Sequence, residues 1–545
     1  MTSLITKSTE KVRSFPNQFF INNENQSIVN YANNLTETFC EENKISLRKK
    51  KGQIFTPPKI AQFMANLFYF KKNEFSILDP GAGTGILVAA ICDHIIQKNL
   101  TGLKISIDVY ENDKTILHYL EMTLKECERQ LKVLNCSIKF QILNEDFILR
   151  HAKEERSKEY LINSLDLQNR YDLIISNPPY YKLNKDSPES LALSQFVYGQ
   201  PNIYAFFMLL SGMLMNKGGQ MVFITPRSFC SGLYYSRIRK WFVNNLWIDR
   251  LHLFEIRKDT FVNDKILQEN LIFHAFNNKM RKSDSTCISV SYDRQFNQYQ
   301  EFLVPTKDIE YCKGNDCFIR IPTSEEDLKI IEIVDSWPQT LNKLGFEIST
   351  GPVVDFRGIK HLRNSIENEN CVPLLWMHNL KGIDVIWPVE KNGKPKAIEV
   401  NLKSKNVVLP LRNYIVLKRF TSKEQKKRVH AAVLHASDFS NFKFIGIENH
   451  LNYIHKGKEI LSLEEVYGLA ALLNTSIIDQ YFRTLNGNTQ VNASDIRSLP
   501  LPDYEVIISI GKIVKEKIHN QEFDCEKAIY SILDLNNMIG KPRNT

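Results

Sequence analysis

The residues best suited to chemistry are Ser176-Asn177-Pro178-Pro179-Tyr180, which directly follow an apolar run at 171–175. The run predicts a buried strand, and the two prolines end it because neither can donate to a ladder. An amide, two backbone carbonyls and an aromatic ring then follow the strand. Together they can hold a planar ring that bears an amino group, with the Asn177 oxygen and a carbonyl accepting from the NH2 and Tyr180 stacking on the ring. On these residues alone, an Asx turn that merely ends the strand explains the pattern equally well.

A second candidate is the glycine-rich loop Asp79-Pro80-Gly81-Ala82-Gly83-Thr84-Gly85, which lies between a predicted strand at 75–79 and a predicted helix at 86–97. Glycines let the backbone approach a ligand closely, and the helix begins beside it. No Gly-Lys-Ser/Thr follows, so the spacing is not that of a phosphate-binding P-loop. The glycine spacing by itself is weak evidence for a nucleotide-like ligand.

Acidic residues end the next two predicted strands. Glu111-Asn112 follow the strand at 104–110, and an acid at this position accepts from ribose hydroxyls in dinucleotide folds. Asp146-Phe147 follow the strand at 137–143, where the carboxylate can accept from an adenine amino group and the ring can pack on the base. Either acid taken singly is also explained as a cap. Four ligand-type groups at the ends of four successive strands are much less easily explained by chance.

The elements that must position these residues alternate between strand and helix over 50–280. This alternation predicts an α/β fold, a Rossmann-like doubly wound parallel sheet, whose ligands bind at the carboxyl ends of the strands. Beyond about residue 285 the alternation weakens, which predicts a mixed α+β region with a helical tail. The predicted division is therefore a helical N-terminal lead at 1–47, a catalytic domain at 48–285 and a further domain at 286–545.

Basic residues lie close to Phe420 in this last region. Basic side chains beside aromatic ones suit contact with nucleic acid. The charged face of an amphipathic helix is an equally good explanation of the cluster taken alone. The candidate nucleic-acid contacts are Arg419, Lys426, Lys427 and Arg428.

The totals narrow the class of protein. The 545 residues carry a net charge of +9, which suits a polyanionic partner, although many proteins of this size carry as much without one. The ten cysteines form no repeated CxxC pairs and no zinc set, so we expect reduced thiols and no metal site. There is no apolar signal core and no run of ~18 apolar residues, so we expect a cytoplasmic protein without a membrane segment.

The motifs and their order resemble the TaqI-like adenine-N6 DNA methyltransferases of restriction–modification systems. The resemblance covers residues 52–57, the glycine loop, Glu111, Asp146-Phe147 and Asn177-Pro178-Pro179-Tyr180. Softer similarity continues at 418–424, 447–450 and 487–491. The resemblance implies S-adenosylmethionine as cofactor, duplex DNA as substrate and target recognition by residues 286–545. It also implies a bacterial or archaeal cell and a cognate restriction endonuclease that acts separately on the same site.

The resemblance assigns roles to individual residues. Phe55-Thr56-Pro57 would lie along the methionine end of the cofactor, and Asp79, Gly81, Ala82 and Gly83 would approach its amino-acid part. Glu111-Asn112 would bind the ribose, and Asp146-Phe147 the adenine. Phe261 loosely matches the aromatic residue that packs on the far side of the target base.

An exocyclic adenine amine is a poor nucleophile because its lone pair is spread into the ring. Hydrogen bonds from both N–H groups, to the Asn177 oxygen and the Pro178 carbonyl, favour a pyramidal nitrogen whose lone pair points at the sulfonium methyl. The base must leave the duplex to be reached. An RNA or protein-glutamine methyltransferase would share residues 50–280, and a catalytically silent DNA-binding subunit is a third class; both remain alternatives at this point.

We expect Glu111→Ala to weaken cofactor affinity more than DNA affinity. A buried ribose left without its acceptor loses charge-assisted hydrogen bonds, which are worth roughly 1.5–3 kcal/mol. Titration calorimetry with the cofactor, compared with a DNA-binding assay on the same variant, measures the two affinities. An unaltered cofactor affinity would reassign Glu111 to a structural cap.

Overall fold

The computed structural model describes residues 27–43, 52–152, 171–196, 199–255, 269–277, 284–313, 316–421, 425–487 and 489–535. The chain divides into two compact units, Met1–Thr323 and Ser324–Thr545. None of the helices in these ranges combines the length and the apolar character that a bilayer crossing requires.

A nine-stranded sheet forms the centre of the first unit. Its strands are β1 Glu74–Asp79, β2 Lys104–Tyr110, β3 Ser137–Leu143, β4 Tyr171–Ser176, β5 Met215–Pro226, β6 Trp247–Phe254, β7 Asn270–Phe276, β8 Ser285–Ser291 and β9 Gln300–Pro305. Their order in the sheet is β3-β2-β1-β4-β5-β7-β6-β8-β9. The predicted α/β fold is confirmed. The carboxyl ends of β1 to β4 meet at one edge because these strands run parallel.

The sheet differs from the fully parallel prediction at two strands. β7 runs antiparallel to both β5 and β6, and β9 runs antiparallel to β8. Every residue of β7 is buried, and a strand that is apolar on both faces gives the same sequence pattern in either direction. Strand direction was therefore not available from the hydrophobic pattern.

Helices cover both faces of this sheet. The α-helices among the described residues of the first unit are α1 Ile28–Glu42, α2 Pro58–Asn66, α3 Ile86–Gln97, α4 Leu117–Lys132, α5 Pro188–Ala192, α6 Tyr204–Met213, α7 Ser236–Asn245 and α8 Thr306–Ile309. Helices α1 to α4 share one apolar core with alternate residues of the strands, among them Ile224 and Ile272. The intervening Phe273 projects to the other face, where its ring lies 5.9 Å from that of Phe242 in α7.

The predicted N-terminal lead forms part of the first unit. Ser27 caps α1, and the buried carboxylate of Asp93 in α3 accepts from the Ser27 hydroxyl at 2.7 Å and from the Ile28 and Val29 amides at 3.0 and 2.9 Å. Burial raises the pKa of Asp93, although these donors oppose the rise. A helix N-terminus attracts an anion, so Asp93 fixes α1 against α3. Residues 1–26 and 44–47 of the predicted lead lie outside the described residues.

The first unit extends past the boundary predicted at 285/286. Strand β8 pairs with β6, and β9 pairs with β8, so residues 285–305 complete the large sheet. A hairpin of β10 Glu310–Lys313 and β11 Asp316–Ile319 follows. Cys312 and Cys317 face each other across this hairpin and form a disulfide, which corrects the expectation that all cysteines are reduced thiols.

The second unit contains a six-stranded and a five-stranded sheet, with orders β12-β22-β19-β20-β16-β15 and β13-β17-β14-β21-β18. The strands are β12 Glu347–Thr350, β13 Leu362–Arg363, β14 Cys371–Leu375, β15 Leu380–Lys381, β16 Asp384–Val385, β17 Ala397–Glu399, β18 Leu409–Pro410, β19 Tyr414–Lys418, β20 Ala431–Leu434, β21 Phe444–Ile447 and β22 Leu451–His455. The helices are α9 Glu325–Asp335, α10 Asp355–Gly358, α11 Leu463–Leu473, α12 Ser476–Leu485, α13 Ala493–Arg497, α14 Tyr504–Lys517 and α15 Cys525–Ile532. The mixed α+β character and the helical tail agree with the sequence-based expectation.

Helices α11 and α14 touch through their backbones. A Cβ at Gly468 would lie 2.1 Å from the Ile507 carbonyl oxygen, and a Cβ at Gly511 would lie 1.9 Å from the Glu464 carbonyl oxygen. Both contacts are with backbone, which cannot rotate away. Only glycine permits this approach of the two helices.

We expect Gly468→Ala to lower the stability of the protein by about 1–3 kcal/mol, because the added methyl forces α11 and α14 apart. Thermal and urea unfolding, followed by circular dichroism, measure the loss. Gly358→Ala is the matched control, since a Cβ at Gly358 meets nothing within 4 Å. Equal stability of the two variants would show that the helix pair adjusts without cost.

Candidate active site

A cavity of about 450 Å³ lies at the edge of the sheet where β1 and β2 end. Its walls come from segments that are distant in the chain, and a parallel sheet brings such segments together at this edge. The wall segments are residues 52–56, 80–84, 110–113 and 145–147, together with Asn177, Pro179 and Tyr181.

The glycine loop forms the floor of the site through two left-handed backbone positions. Gly83 has φ +55°, and a Cβ there would lie 3.3 Å from the ring of Phe55. Gly85 has φ +87° and is the N-cap of α3. The Ala82 amide donates to the Tyr110 carbonyl at 3.0 Å, which ties the loop to the end of β2. The backbone at Gly83 therefore faces the cavity without a side chain, whereas a Cβ at Gly85 would meet Leu120 and Thr123 of α4.

Asp79 ends β1 inside the protein, with none of its surface exposed. Its Oδ1 accepts from the Gly81 amide at 3.2 Å, whereas Oδ2 has no hydrogen-bond partner among the described residues. Burial, together with repulsion from Glu111, raises the pKa of Asp79 to about 8. A buried acceptor without a donor is costly, which favours the protonated form of Asp79.

Glu111 follows β2 and is held by backbone donors. Its Oε2 accepts from the Gly83 amide at 3.0 Å and its Oε1 from the Asp113 amide at 2.8 Å. Burial raises the pKa of Glu111. A carboxylate has about four lone-pair sites, so each oxygen retains capacity for a hydroxyl donor. This arrangement suits the adjacent hydroxyls of a ribose.

Asp146 and Phe147 follow β3 and line the same cavity. Asp146 Oδ1 accepts from the Leu149 amide at 2.8 Å, so one oxygen serves as the cap that the sequence offered as an alternative. The buried ring of Phe147 stacks on that of Phe207 in α6, with centroids 5.3 Å apart and planes 28° apart. These rings form an apolar wall suited to the face of a purine.

The orientation of the Asn177 amide is set by segment 52–57. Asn177 Nδ2 donates to the Ile54 carbonyl and to Thr56 Oγ1, both at 3.0 Å. A carbonyl can only accept, so the NH2 of the amide must face Ile54 and the oxygen must face away. The Tyr180 hydroxyl lies 2.6 Å from Asn177 Oδ1 and 2.7 Å from the Ile224 carbonyl. Its single proton can serve only one of these two acceptors at a time.

The chain matches the family model of the Eco57I restriction-modification methylase over residues 89–261. It is 37% identical over 477 residues to the type II methyltransferase M.BsuBI of Bacillus subtilis, covering 87% of this chain and 92% of that protein. It is 33% identical over 471 residues to the type II methyltransferase M.PstI of Providencia stuartii, covering 86% and 90%. The chain belongs to the type II methyltransferases of restriction–modification systems. It is a DNA methyltransferase that uses S-adenosylmethionine.

A shorter likeness connects this methyltransferase with one of the alternative classes. A release factor glutamine methyltransferase of Fusobacterium nucleatum is 32% identical over 118 residues, which is 22% of this chain and 25% of that protein. The similarity to the type II methyltransferases, in contrast, extends over both compact units.

The cavity of the methyltransferase brings most of the predicted cofactor residues together. Pro57 caps α2, and Asp79 is buried behind Gly81. Pro57 and Asp79 therefore do not form part of the wall. Phe261 lies outside the described residues. The predicted cofactor residues in the wall are Phe55, Thr56, Gly81, Ala82, Gly83, Glu111, Asn112, Asp146 and Phe147.

The wall also contains residues that were not predicted from the sequence, among them Ile203, Phe207 and Tyr181. Ile203 and Phe207 lie on or beside α6, whose apolar sequence indicates only a core helix, and Tyr181 follows the predicted motif directly. Tyr181 is 40% exposed, and a Cβ at Gly52 would lie 2.8 Å from its ring. The one available signal was the second tyrosine after the prolines.

The structure corrects the predicted basic cluster of the second unit. Arg428 is 1% exposed, and its guanidinium donates to Thr421 Oγ1 and to the Asn486 carbonyl, both at 3.2 Å. Arg428 therefore stabilises the fold and cannot contact a phosphate. Lys427 donates to the Asn474 carbonyl, and Lys426 is exposed.

Arg419 remains at the surface of the second unit. It is partly exposed and donates to the Asn449 carbonyl at 3.1 Å. Its guanidinium lies 5.8 Å from the centroid of the Phe420 ring. Arg419 and Lys426 are thus the members of the cluster that a polyanion can reach most directly.

We expect Asp79→Asn to stabilise the cofactor-free protein at pH 8. The pKa of Asp79 is about 8 in the folded protein but near 3.9 in an unfolded chain, so the folded state holds this proton more tightly. The contribution of Asp79 to stability therefore falls as pH rises from about 4 to 8. Melting temperatures of variant and wild type at pH 5 and pH 8 measure this effect. If variant and wild type lose the same stability between these pH values, Asp79 is not the buried acid responsible.

Proposed function

We propose that this methyltransferase transfers a methyl group to N6 of an adenine within a specific duplex site, after the base has been flipped out of the helix. The observation that carries the proposal is the fixed amide of Asn177. The NH2 of Asn177 donates to the Ile54 carbonyl and to Thr56 Oγ1. The Asn177 oxygen is therefore an acceptor whose position is set before the substrate binds. An exocyclic amine needs such an acceptor.

The acceptors activate the amine by geometry. Hydrogen bonds from the amine to Asn177 Oδ1 and to the Pro178 carbonyl draw both protons to one side. The nitrogen becomes pyramidal and its lone pair faces the sulfonium methyl. These bonds strengthen as positive charge develops on nitrogen, so they stabilise the transition state more than the ground state. No basic side chain is needed before attack, because the proton can leave afterwards.

The Tyr180 hydroxyl supports this step by changing its acceptor. It lies within hydrogen-bond distance of both Asn177 Oδ1 and the Ile224 carbonyl. When the amine binds, the hydroxyl proton turns to Ile224 and releases the Asn177 oxygen. The Tyr180 ring stacks on the base, a contact worth ~1–3 kcal/mol, which offsets part of the cost of flipping. Pro179 stiffens the loop between Asn177 and Tyr180.

The cofactor residues fit S-adenosylmethionine by the chemistry of their groups. Asp79 holds the glycine loop through the Gly81 amide, and the Glu111 oxygens suit the ribose hydroxyls. The Asp146 carboxylate and the Phe147 ring suit the adenine. When bound, the cofactor supplies the methyl on a sulfonium. The residues that would hold it are those of the cavity wall, which Asn177 also lines.

The second unit carries target recognition in this proposal, and duplex DNA is its partner. Arg419, Lys426 and Lys427 are its candidate phosphate contacts, which set affinity and salt dependence but not the sequence recognised. A cognate restriction endonuclease acts separately on the same site. Methylation takes place in the cytoplasm of a prokaryotic cell, where the duplex DNA substrate lies.

Product analysis tests the proposed acceptor. Duplex DNA is incubated with methyl-labelled cofactor, digested to nucleosides and separated. We expect N6-methyl-2′-deoxyadenosine as the labelled product, and we expect the label at a single DNA sequence. Label only in N4-methylcytosine, in RNA or in glutamine of a protein substrate would contradict the proposal.

We expect Asn177→Ala to lower kcat by roughly ten- to a hundredfold, since a hydrogen bond to a charged group is worth ~1.5–3 kcal/mol. Cofactor affinity should change little. Single-turnover methylation and cofactor calorimetry separate the two effects. Tyr180→Phe is the matched control, because it retains the ring and removes only the hydroxyl; its loss should be smaller. Turnover of Asn177→Ala at the wild-type rate would remove the acceptor role.

A further inference from the structure

Two large apolar side chains stand out from the second unit beside each other. Phe356 is 71% exposed and Ile359 is 69% exposed. Phe356 belongs to α10, and Ile359 begins the single 3-10 turn that follows. Residues three apart in helical backbone lie on the same side, so the two side chains form one apolar projection.

Cations flank this projection. Arg357 and Lys360 are exposed, and the Arg357 guanidinium lies 5.5 Å from the centroid of the Phe356 ring. Three acidic side chains of this region form ion pairs with other cations: Asp355 with Lys394 at 3.6 Å, and Glu367 and Glu399 with Arg363. No ion pair of Arg357 or Lys360 occurs in the part of the chain that the structure describes. The projection therefore has a net positive border.

The projection is fixed to the fold at both ends. Before it, the Val353 amide donates to the Ile447 carbonyl at 3.1 Å, and the Val353 side chain is 1% exposed. After it, Leu362 pairs with Ile398 between β13 and β17. Residues 354–361 therefore form a short knuckle between two anchored points. A knuckle held in this way is pre-organised, which lowers the entropic cost of binding.

A single exposed apolar residue needs no explanation; Ile460 of the same unit is 67% exposed. An exposed apolar pair with an unpaired cation beside each member is a more specific indication of a binding surface. Its chemistry matches a partner that has an apolar interior between two rows of negative charge. Stacked base pairs between phosphates have this arrangement, and DNA-bending proteins insert Phe or Ile side chains into it.

We propose that Phe356 and Ile359 form a wedge that enters the base stack of the DNA substrate while Arg357 and Lys360 contact the phosphates on either side. Unstacking a base step weakens its neighbours, so the wedge lowers the cost of flipping the target base. Its link to flipping rests on the function proposed above. Its binding to DNA rests only on the projection and on the substrate of the family.

Two duplexes test the wedge with the full-length protein, after the methylated site has been mapped. One has an intact A·T pair at the target, and the other places the target adenine opposite an abasic site, where it is already unpaired. We expect Phe356→Ala to slow methylation of the intact duplex by about five- to a hundredfold, the range of one lost stacking contact. On the abasic duplex the variant should approach the wild-type rate. Phe356→Trp should retain activity on both, and Ile460→Ala is the control for loss of an exposed apolar side chain.

Fluorescence of 2-aminopurine, placed at successive steps of the site, reports unstacking without any methyl transfer. Wild type should raise the signal at one step in addition to the target, and Phe356→Ala should abolish that second signal. Arg357→Ala and Lys360→Ala should each reduce the slope of log K against log salt by about one. These two readouts remain valid if the methyl acceptor proves not to be adenine N6, so failure of the proposed function and failure of the wedge are distinguishable.

Three outcomes would overturn the wedge. The first is an unchanged second 2-aminopurine signal with Phe356→Ala. The second is an equal loss of rate on both duplexes, which would assign Phe356 to folding or general affinity; melting temperature decides between these. The third is that Phe356→Ala changes the oligomeric state of the protein in analytical ultracentrifugation but unstacks DNA as wild type does. That result would make the projection a contact between copies of the chain.

Discussion

The two hydrogen bonds from the Asn177 amide to Ile54 and Thr56 determine what the active site can do. They join the segment before α2 to the loop after β4, although 121 residues separate Asn177 from Thr56. Because the amide NH2 is used by protein acceptors, the amide cannot turn to offer it to the substrate. The oxygen is therefore pre-organised as an acceptor, and electrostatic pre-organisation of this kind reduces the reorganisation needed in the transition state.

Two buried carboxylates of the first unit differ in the hydrogen-bond donors that surround them. Asp93 and Asp79 are both buried and both have a raised pKa. Asp93 accepts from three groups at the N-terminus of α1, so it holds two helices together. Asp79 accepts from the Gly81 amide alone, and its second oxygen is left for a donor that the described residues do not provide. Two buried carboxylates of one fold therefore differ in the number of donors that the chain itself supplies.

The same contrast appears among the cations and aromatics of the second unit. Arg428 belongs to the densest basic run, yet its carbonyl and hydroxyl partners keep it inside the fold. Phe356 belongs to the residue type that is most often buried, yet it is largely exposed. Residue type gives the usual location, and the exceptions in both directions are the informative positions. The wedge proposed above uses an apolar side chain that the fold does not cover.

The sequence by itself determined the catalytic fold, the family and the cofactor, because these depend on short strings whose backbone requirements are local. Two prolines end a strand wherever they occur, and glycine is needed at 83 and 85 for left-handed backbone. An acid after a parallel strand reaches the same sheet edge in any such fold.

Only the tertiary structure decided the direction of β7, the extension of the first unit to Thr323, the partners of Asn177 and the burial of Arg428. Each depends on contacts between residues far apart in the chain, and a buried strand or a basic run has the same sequence whichever neighbours it meets. Phe207 joined the cavity for the same reason: an apolar helix residue is core or ligand wall according to what packs against it.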